Sequence, residues 1–296
     1  MSLSIVAVLL ASCRTDEVLV DMEKIHVAEP EYTDVEGFYL LNEGNMGSNK
    51  STLDYFDYGE GTYYKNIYSE RNPSVVKELG DVGNDLLIYG SKLYAVINCS
   101  PKVMDASTAV RCAKIDVPNC RYAVGDKGYV YVSSYVAPVQ ENINAPKGAV
   151  FKVDTLSMQI VGSVEVGYQP EERPVVGARL YVANSGGYRK PNYDNTISVI
   201  DLPTFQLCDV IVLDGTANFH RLVHDSKGRL WVSSRGNYYG DLNSDFFVVD
   251  PRSKTIVKDL KIPVSNVWVD DNVAYVISTE WSYVTGENRV TYAKID

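Results

Sequence analysis

Six aspartates, Asp57, Asp105, Asp154, Asp201, Asp250 and Asp296, each close a short run of apolar residues, and their spacings are 48, 49, 47, 49 and 46. A near-constant period in this range marks a chain built from one repeated unit that buries its apolar faces against its neighbours. A second marker keeps the same step: an aromatic residue followed by aliphatic ones recurs at Tyr39, Tyr94, Tyr131, Tyr181, Trp231 and Tyr275. The unit is clearest in Leu180 to Thr204, where the strand Leu180 to Ala183 leads through a polar, glycine-bearing loop to the strand Thr196 to Ile200, closed by Asp201.

Each complete unit reads as four strands. In the fourth they are Pro174 to Val176 (A), Leu180 to Ala183 (B), Thr196 to Ile200 (C) and Phe205 to Val212 (D). Tight turns such as Gly125-Asp126-Lys127-Gly128 and Asp225-Ser226-Lys227-Gly228 join A to B. Valine-rich runs, 22 tyrosines and the lack of any long stretch of helical periodicity make the chain all-β. Four short strands per period form the blade of a β-propeller, which closes radially and leaves few exposed edges. A parallel β-helix needs a much shorter period.

Tyr181-Val182-Ala183-Asn184, followed by Thr196-Ile197-Ser198-Val199-Ile200-Asp201, resembles the YVTN repeat of YncE-like β-propellers, and the match extends over about 37 to 296. The loop wording LNEGN, INCS, YQPEE, NSGGYR and SSRG is similar to a family of Bacteroidetes lipoproteins carrying domain-of-unknown-function labels. The resemblance implies a fold and no activity, since propellers host unrelated functions. The first unit supplies strands B, C and D (Phe38 to Leu41, Leu53 to Phe56, Tyr63 to Tyr68), and the sixth supplies A, B and C. With one A and one D strand unaccounted for, the expectation is a family with seven blades, six of them visible here and the C-terminal part incomplete; a six-bladed ring with one defective blade is the alternative.

Residues 1–13 read as a lipoprotein signal peptide. The apolar run Ser4 to Leu10 is too short to cross a bilayer and ends in Leu10-Ala11-Ser12-Cys13, which resembles a lipobox with Cys13 as the lipidated residue. Acyl chains there would anchor the protein without a membrane-spanning helix. Arg14-Thr15-Asp16-Glu17 is similar to an acidic export tag, so the expected location is the outer membrane or cell surface. Residues 14–36 read as a tether and 37–296 as the propeller. Cys99, Cys112, Cys120 and Cys208 form no CxxC pair, and their disulfide state stays open.

In a propeller the B-to-C loops and D-to-A connections surround one mouth of the central channel. The innermost strands begin at Asp85, Arg121, Arg173, Arg221 and Asn266, which lie 9, 10, 8, 10 and 9 residues before their blade aromatics. Arginine forks bind carboxylates or phosphates in bidentate fashion, so this mouth is a candidate pocket for an acidic small molecule or a glycan. Arg235, Glu43, Asn184, Tyr188, His220 and Trp281 join the candidate set from the surrounding loops and strands. Structural pairing of the arginines with Asp85, Glu171 and Glu172 is the competing reading. Tyr135, Tyr193, Tyr238, Tyr239 and Tyr283 extend an aromatic surface suited to sugars or protein partners.

No GxSxG, HExxH or P-loop is present, and two histidines in one strand with no third ligand do not make a zinc site. No cofactor is expected. The expectation is a monomeric, non-catalytic binding protein whose ligand is a glycan, peptide or protein and whose membrane contact is the lipid anchor alone. The alternative is an enzyme of lactonase or lyase type, with a divalent cation held by oxygen ligands such as Glu43, Asn84, Asp85 and Asn184. A net charge of −10 and a pI near 4.9 argue against nucleic acid, including the single-stranded DNA that some YncE-like relatives bind.

Overall fold

The computed structural model describes residues 21–31, 34–75, 78–237, 241–282 and 284–296. The first sheet holds β1 (Glu23–His26), β2 (Gly37–Asn42), β3 (Thr52–Asp57) and β4 (Thr62–Lys65), followed by the single turn of α1 (Ile67–Arg71). The second holds β5 (Gly83–Tyr89), β6 (Lys92–Ile97), β7 (Lys102–Asp105) and β8 (Arg111–Lys114). The third comprises β9 (Cys120–Asp126), β10 (Tyr129–Ser134), β11 (Ala149–Asp154) and β12 (Ile160–Glu165). The fourth comprises β13 (Val175–Val176), β14 (Arg179–Ala183), β15 (Thr196–Asp201) and β16 (Gln206–Val212). The fifth has β17 (Phe219–His224), β18 (Leu230–Ser234), β19 (Asp245–Asp250) and β20 (Thr255–Asp259); the sixth has β21 (Asn266–Asp270), β22 (Val273–Ser282) and β23 (Glu287–Ile295). All pairings are antiparallel, giving six propeller blades, five of four strands and one of three.

The periodic aspartates have a local cause. Five of the six open the C-to-D hairpin by accepting backbone N–H bonds from the turn that follows: Asp57 from Glu60, Asp105 from Ser107 and Thr108, Asp154 from Leu156 and Ser157, Asp201 from Thr204, and Asp250 from Arg252. A short acceptor that holds its own turn is what this position requires, so the residue recurs with the blade.

The aromatic marker serves packing between blades. Tyr39 packs between the first and second sheets, Tyr94 between the second and third, Tyr131 between the third and fourth, Tyr181 between the fourth and fifth, and Trp231 between the fifth and sixth. The Trp231 indole N–H is satisfied by Asp225 of the A-to-B turn, at 3.1 Å, and the same buried carboxylate accepts from Lys227 N, Arg229 N and Arg229 Nε. Asp225→Ala strands these donors and is expected to destabilise the fold by about 2 kcal/mol, read as a lower denaturant midpoint; an unchanged midpoint would remove the turn from the account.

Close approach fixes one glycine. A Cβ on Gly125 would lie 2.3 Å from the Tyr89 ring of the preceding blade, whose hydroxyl accepts from Gly128 N. Gly125→Ala is therefore expected to cost about 1–3 kcal/mol in thermal or chemical unfolding, and no loss would mean that the ring shifts freely.

Two sequence expectations change. The segment read as a tether contributes β1, which pairs with β4 at the outer edge of the first sheet, because its Glu23 to His26 backbone finds an unpaired edge there. The stretch read as one strand, Tyr63 to Tyr68, stops at Lys65, and Asn66 in a left-handed conformation turns the chain into α1. Cys99, Cys112, Cys120 and Cys208 are all free thiols. No helix among the described residues is long and apolar enough to cross a membrane.

Candidate functional site

Three of the innermost strands carry a β-bulge at the same end. In β9, Arg121 and Tyr122 together oppose Ser133 of β10; in β17, His220 and Arg221 together oppose Ser233 of β18; in β5 the extra residue is Asn84. The serine hydroxyls take the displaced backbone, Ser133 from Tyr122 N at 3.2 Å and Ser233 from Arg221 N at 2.9 Å. A bulge breaks the two-residue alternation and re-aims side chains. Adjacent residues that a regular strand would send to opposite faces thus join one cluster at the channel mouth.

Arg121 donates to Asn84 Oδ1 at 2.5 Å and lies 3.4 Å from Glu171 Oε2, with its guanidinium 4.9 Å from the Tyr135 ring centre. Burial pulls its pKa down, but Tyr135 and Glu171 outweigh burial and leave it raised. Glu171 is itself buried and accepts from the Tyr135 hydroxyl. Arg221 donates to Ser265 O at 3.3 Å, lies 3.7 Å from Glu172 Oε1 and sits 5.3 Å from the Tyr122 ring centre. Glu172 also accepts from Leu222 N. Burial pushes Glu172 up to about 7, with Asp85 adding to the shift and Arg221 opposing it.

His220 links the remaining members. Its Nε2 lies 3.0 Å from the Tyr122 hydroxyl and 2.9 Å from Arg235 Nη2. Guanidinium has no acceptor lone pair, so Nε2 accepts and the ring proton resides on Nδ1. Burial, reinforced by Arg235, Arg221 and Arg121, holds His220 well below the usual histidine range and therefore neutral.

Four guanidinium groups, Arg121, Arg173, Arg221 and Arg235, stand with three carboxylates, Asp85, Glu171 and Glu172, which leaves at least one positive charge, since burial favours the neutral forms of Asp85 and Glu172. Arg121 and Arg221 have carboxylate partners; among the described residues Arg235 ion-pairs with none and rests on a neutral imidazole. Arg173 likewise ion-pairs with no carboxylate among the described residues, but it is buried on wall carbonyls and acts on Asp85 through its field, so the charge open to a ligand at the rim of the cluster is that of Arg235.

The predicted residues separate into two groups. Arg121, Arg221, Arg235 and His220 come together. Arg173 is 3% exposed and turns into the wall, donating to Tyr131 O, Ser133 Oγ and Glu171 O. Asn184 is fully buried and ties Thr196 to Ser198 across its own blade. Asp85 is occupied by Leu86 N and Ala123 N, and Glu43 is exposed on the first sheet's loop. These positions disperse the oxygen ligands proposed for a cation, and no group of three His, Cys, Asp or Glu among the described residues is placed to hold a metal ion. Tyr188 stays exposed at the rim, edge-on to Tyr135 at 6.2 Å. Tyr135, expected on the surface, is buried beneath Arg121. Cys13, Tyr238, Tyr239 and the side chains of Trp281 and Tyr283 lie outside the described residues.

The sequence marks Asn84 only as an oxygen ligand for a cation, whereas here it accepts from Arg121, and it does not mark Tyr122 at all. The available signal was the doubled serine, Ser133-Ser134 and Ser233-Ser234, at the end of two B strands, where one hydroxyl faces a bulge.

Residues 36–280 match the model of a domain of unknown function, DUF5074. No curated protein matches the sequence. Among solved structures, Kuenenia stuttgartiensis hydrazine synthase aligns at 19% identity with a TM-score of 0.59, covering 72% of this chain and 63% of that one, so the chain spans less than two thirds of it. A Bacteroides caccae protein of unknown function aligns at 14% identity with a TM-score of 0.55, covering 88% of this chain and 90% of that one. The computationally designed protein Ika8 aligns at 12% identity with a TM-score of 0.52, covering 81% and 68%. At these identities the likeness concerns the fold.

Proposed function

The chain belongs to the domain-of-unknown-function family DUF5074, and from its site we propose a non-catalytic, lipid-anchored binding propeller of the bacterial cell envelope that takes an acidic small molecule or glycan carboxylate at the channel mouth. One observation carries the reading: Arg235 has no carboxylate partner among the described residues and is held in place by a neutral histidine. A fixed guanidinium with its charge uncompensated binds a carboxylate in bidentate fashion at little ordering cost. Arg121 and Arg221, both partly exposed, add to the local field. The test is binding of uronate-containing glycans and small polycarboxylates to wild type and Arg235→Ala: selective binding lost in the variant supports the reading, and equal binding of neutral and acidic ligands refutes it.

The anchor at Cys13 is part of the same proposal, on the strength of the Leu10-Ala11-Ser12-Cys13 run. Cys13→Ala should release the protein from membranes, and continued co-sedimentation would refute lipidation.

The proposed ring has seven blades. Six sheets form only five inter-sheet cores among the described residues, and none joins the sixth to the first. Tyr275, at the position of the five aromatics that pack onto the next blade, is 42% exposed beside Trp268 at 61%, while Phe38 and Leu40 are exposed on the facing side of the first sheet. A further sheet between them would use these faces as the other five interfaces use theirs. In the protein as its cell makes it, Trp268 fluorescence should be shielded from acrylamide; a freely quenched Trp268 there would refute the seventh blade.

A further inference from the structure

A second concave site lies away from the channel, between the outer strands of the third and fourth blades. The loop from Gly186 to Asn195 arches over it, and its volume is about 320 Å³. That is near the lower end of the range of ligand pockets, about 300–1,000 Å³, and suits a molecule with a single ring.

Its construction is specific. Tyr168 forms one wall, with the Arg189 guanidinium 3.4 Å from its ring centre. Arg189 Nη1 is tied to Asn192 O at 3.1 Å, so the group is held in place on the ring. Its Nε is buried without a hydrogen-bond partner, and among the described residues no carboxylate pairs with this arginine. Ser198, also lining the pocket, accepts from Gly167 N and Asn184 Nδ2, which leaves its own hydroxyl proton to be donated. Among the described residues the Arg189 Nε therefore has no acceptor, a costly state unless a ligand oxygen supplies one, and the Ser198 hydroxyl can donate beside it. Lys147 brings a second positive charge to the rim, shared among the described residues with an exposed Glu165 at 3.6 Å.

The one acid in the pocket does not cancel that charge distribution. Asp194 is buried, and its carboxylate is engaged by Tyr168 N, Thr196 N and the Thr196 hydroxyl. The floor is apolar, formed by Val166, Leu207 and Val210. Cations at the rim, unused donors, an aromatic wall and an apolar floor together match a ring with one carboxylate, several hydroxyls and a C–H face.

We propose that the pocket between the third and fourth blades is a second ligand site, one that takes a single-ring acidic sugar with its carboxylate on Arg189 and Lys147. The site is independent of the channel mouth and shares no residue with it.

The probe is methyl galacturonoside titrated into the full chain, with methyl galactoside as the neutral comparison and amide hydrogen exchange locating the site. The expected result is binding of the acid at least tenfold tighter than the neutral sugar, with new protection across 186–195. Arg189→Ala should abolish that protection and weaken binding at least tenfold. Lys147→Glu, an exposed substitution that does not threaten folding, should weaken it about fivefold and decides the matter if Arg189→Ala lowers the melting temperature. Equal binding of the two glycosides, no binding of either, or binding of N-acetylglutamate in preference to the uronate would overturn the proposal. Protection confined to 219–235 would overturn it as well while leaving the channel-mouth reading in place.

Discussion

Arg173→Ala is expected to destabilise the protein by about 3–5 kcal/mol, the cost of breaking a buried, hydrogen-bonded charge network. The guanidinium is fully engaged, and its donors reach Tyr131 O, Ser133 Oγ and Glu171 O. Burial pulls its pKa down to about 9, with Asp85 and Glu172 opposing the shift, so it stays charged at neutral pH. Removing it takes away a positive charge that favours the ionised forms of Asp85 and Glu172 and leaves the Tyr131 carbonyl without its guanidinium donors. Urea unfolding checks this through a lower midpoint at an unchanged slope. A midpoint within 0.5 kcal/mol of wild type, the range of a surface substitution, would show that Arg173 is not the keystone of the wall.

Arg235→Ala carries the largest expected effect on binding, a loss of tenfold or more for an acidic ligand, as for removal of a charge-assisted hydrogen bond worth about 1.5–3 kcal/mol. Because the Arg235 side chain is partly exposed and, among the described residues, hydrogen-bonds to His220 alone, the fold should tolerate the change. Glu172 gives the same site a pH dependence. Its pKa rises from 4.5 to about 7 on folding, through burial first, so between those values the folded state holds more protons than the unfolded one. Stability therefore falls as pH rises from about 4.5 to about 7, by on the order of 2–3 kcal/mol. Protonation also frees Arg221 of its ion pair. For a ligand with a permanently charged sulfate ester, affinity should rise several-fold between pH 8 and pH 6. Glu172→Gln should hold the higher affinity at both values; a slope that survives in Glu172→Gln would assign it to another group, with His220 excluded by its neutrality over this range.

The fold was legible because its determinants are local and repeated. The aspartate that opens each C-to-D hairpin and the aromatic that packs onto the next blade must recur at the blade period, and both appear as plain spacings in the chain. The fourth blade lies almost where Leu180 to Thr204 placed it. What escaped depended on contacts distant in sequence. Strand β1 exists because β4 has an edge to pair with, and nothing in Glu23 to His26 announces that. The channel-mouth cluster was half legible: the starts of the inner strands located Arg121 and Arg221, whereas Arg173, aligned with them, points into the wall. Alternation cannot distinguish these cases, because the bulges opposite Ser133 and Ser233 reset it within the residues that matter. Tyr135 shows the same limit, since a loop tyrosine becomes buried only when Arg121 of β9 and Glu171 of the connection between β12 and β13 close over it.

The account rests on the uncompensated charge at Arg235, and the most direct measurement is calorimetric titration of one sulfated monosaccharide at pH 6 into wild type, Arg235→Ala and Arg235→Lys. The account predicts saturable binding by wild type, a loss of at least tenfold in Arg235→Ala and partial recovery in Arg235→Lys, which restores the charge without the fork. Equal affinity in all three proteins would contradict it.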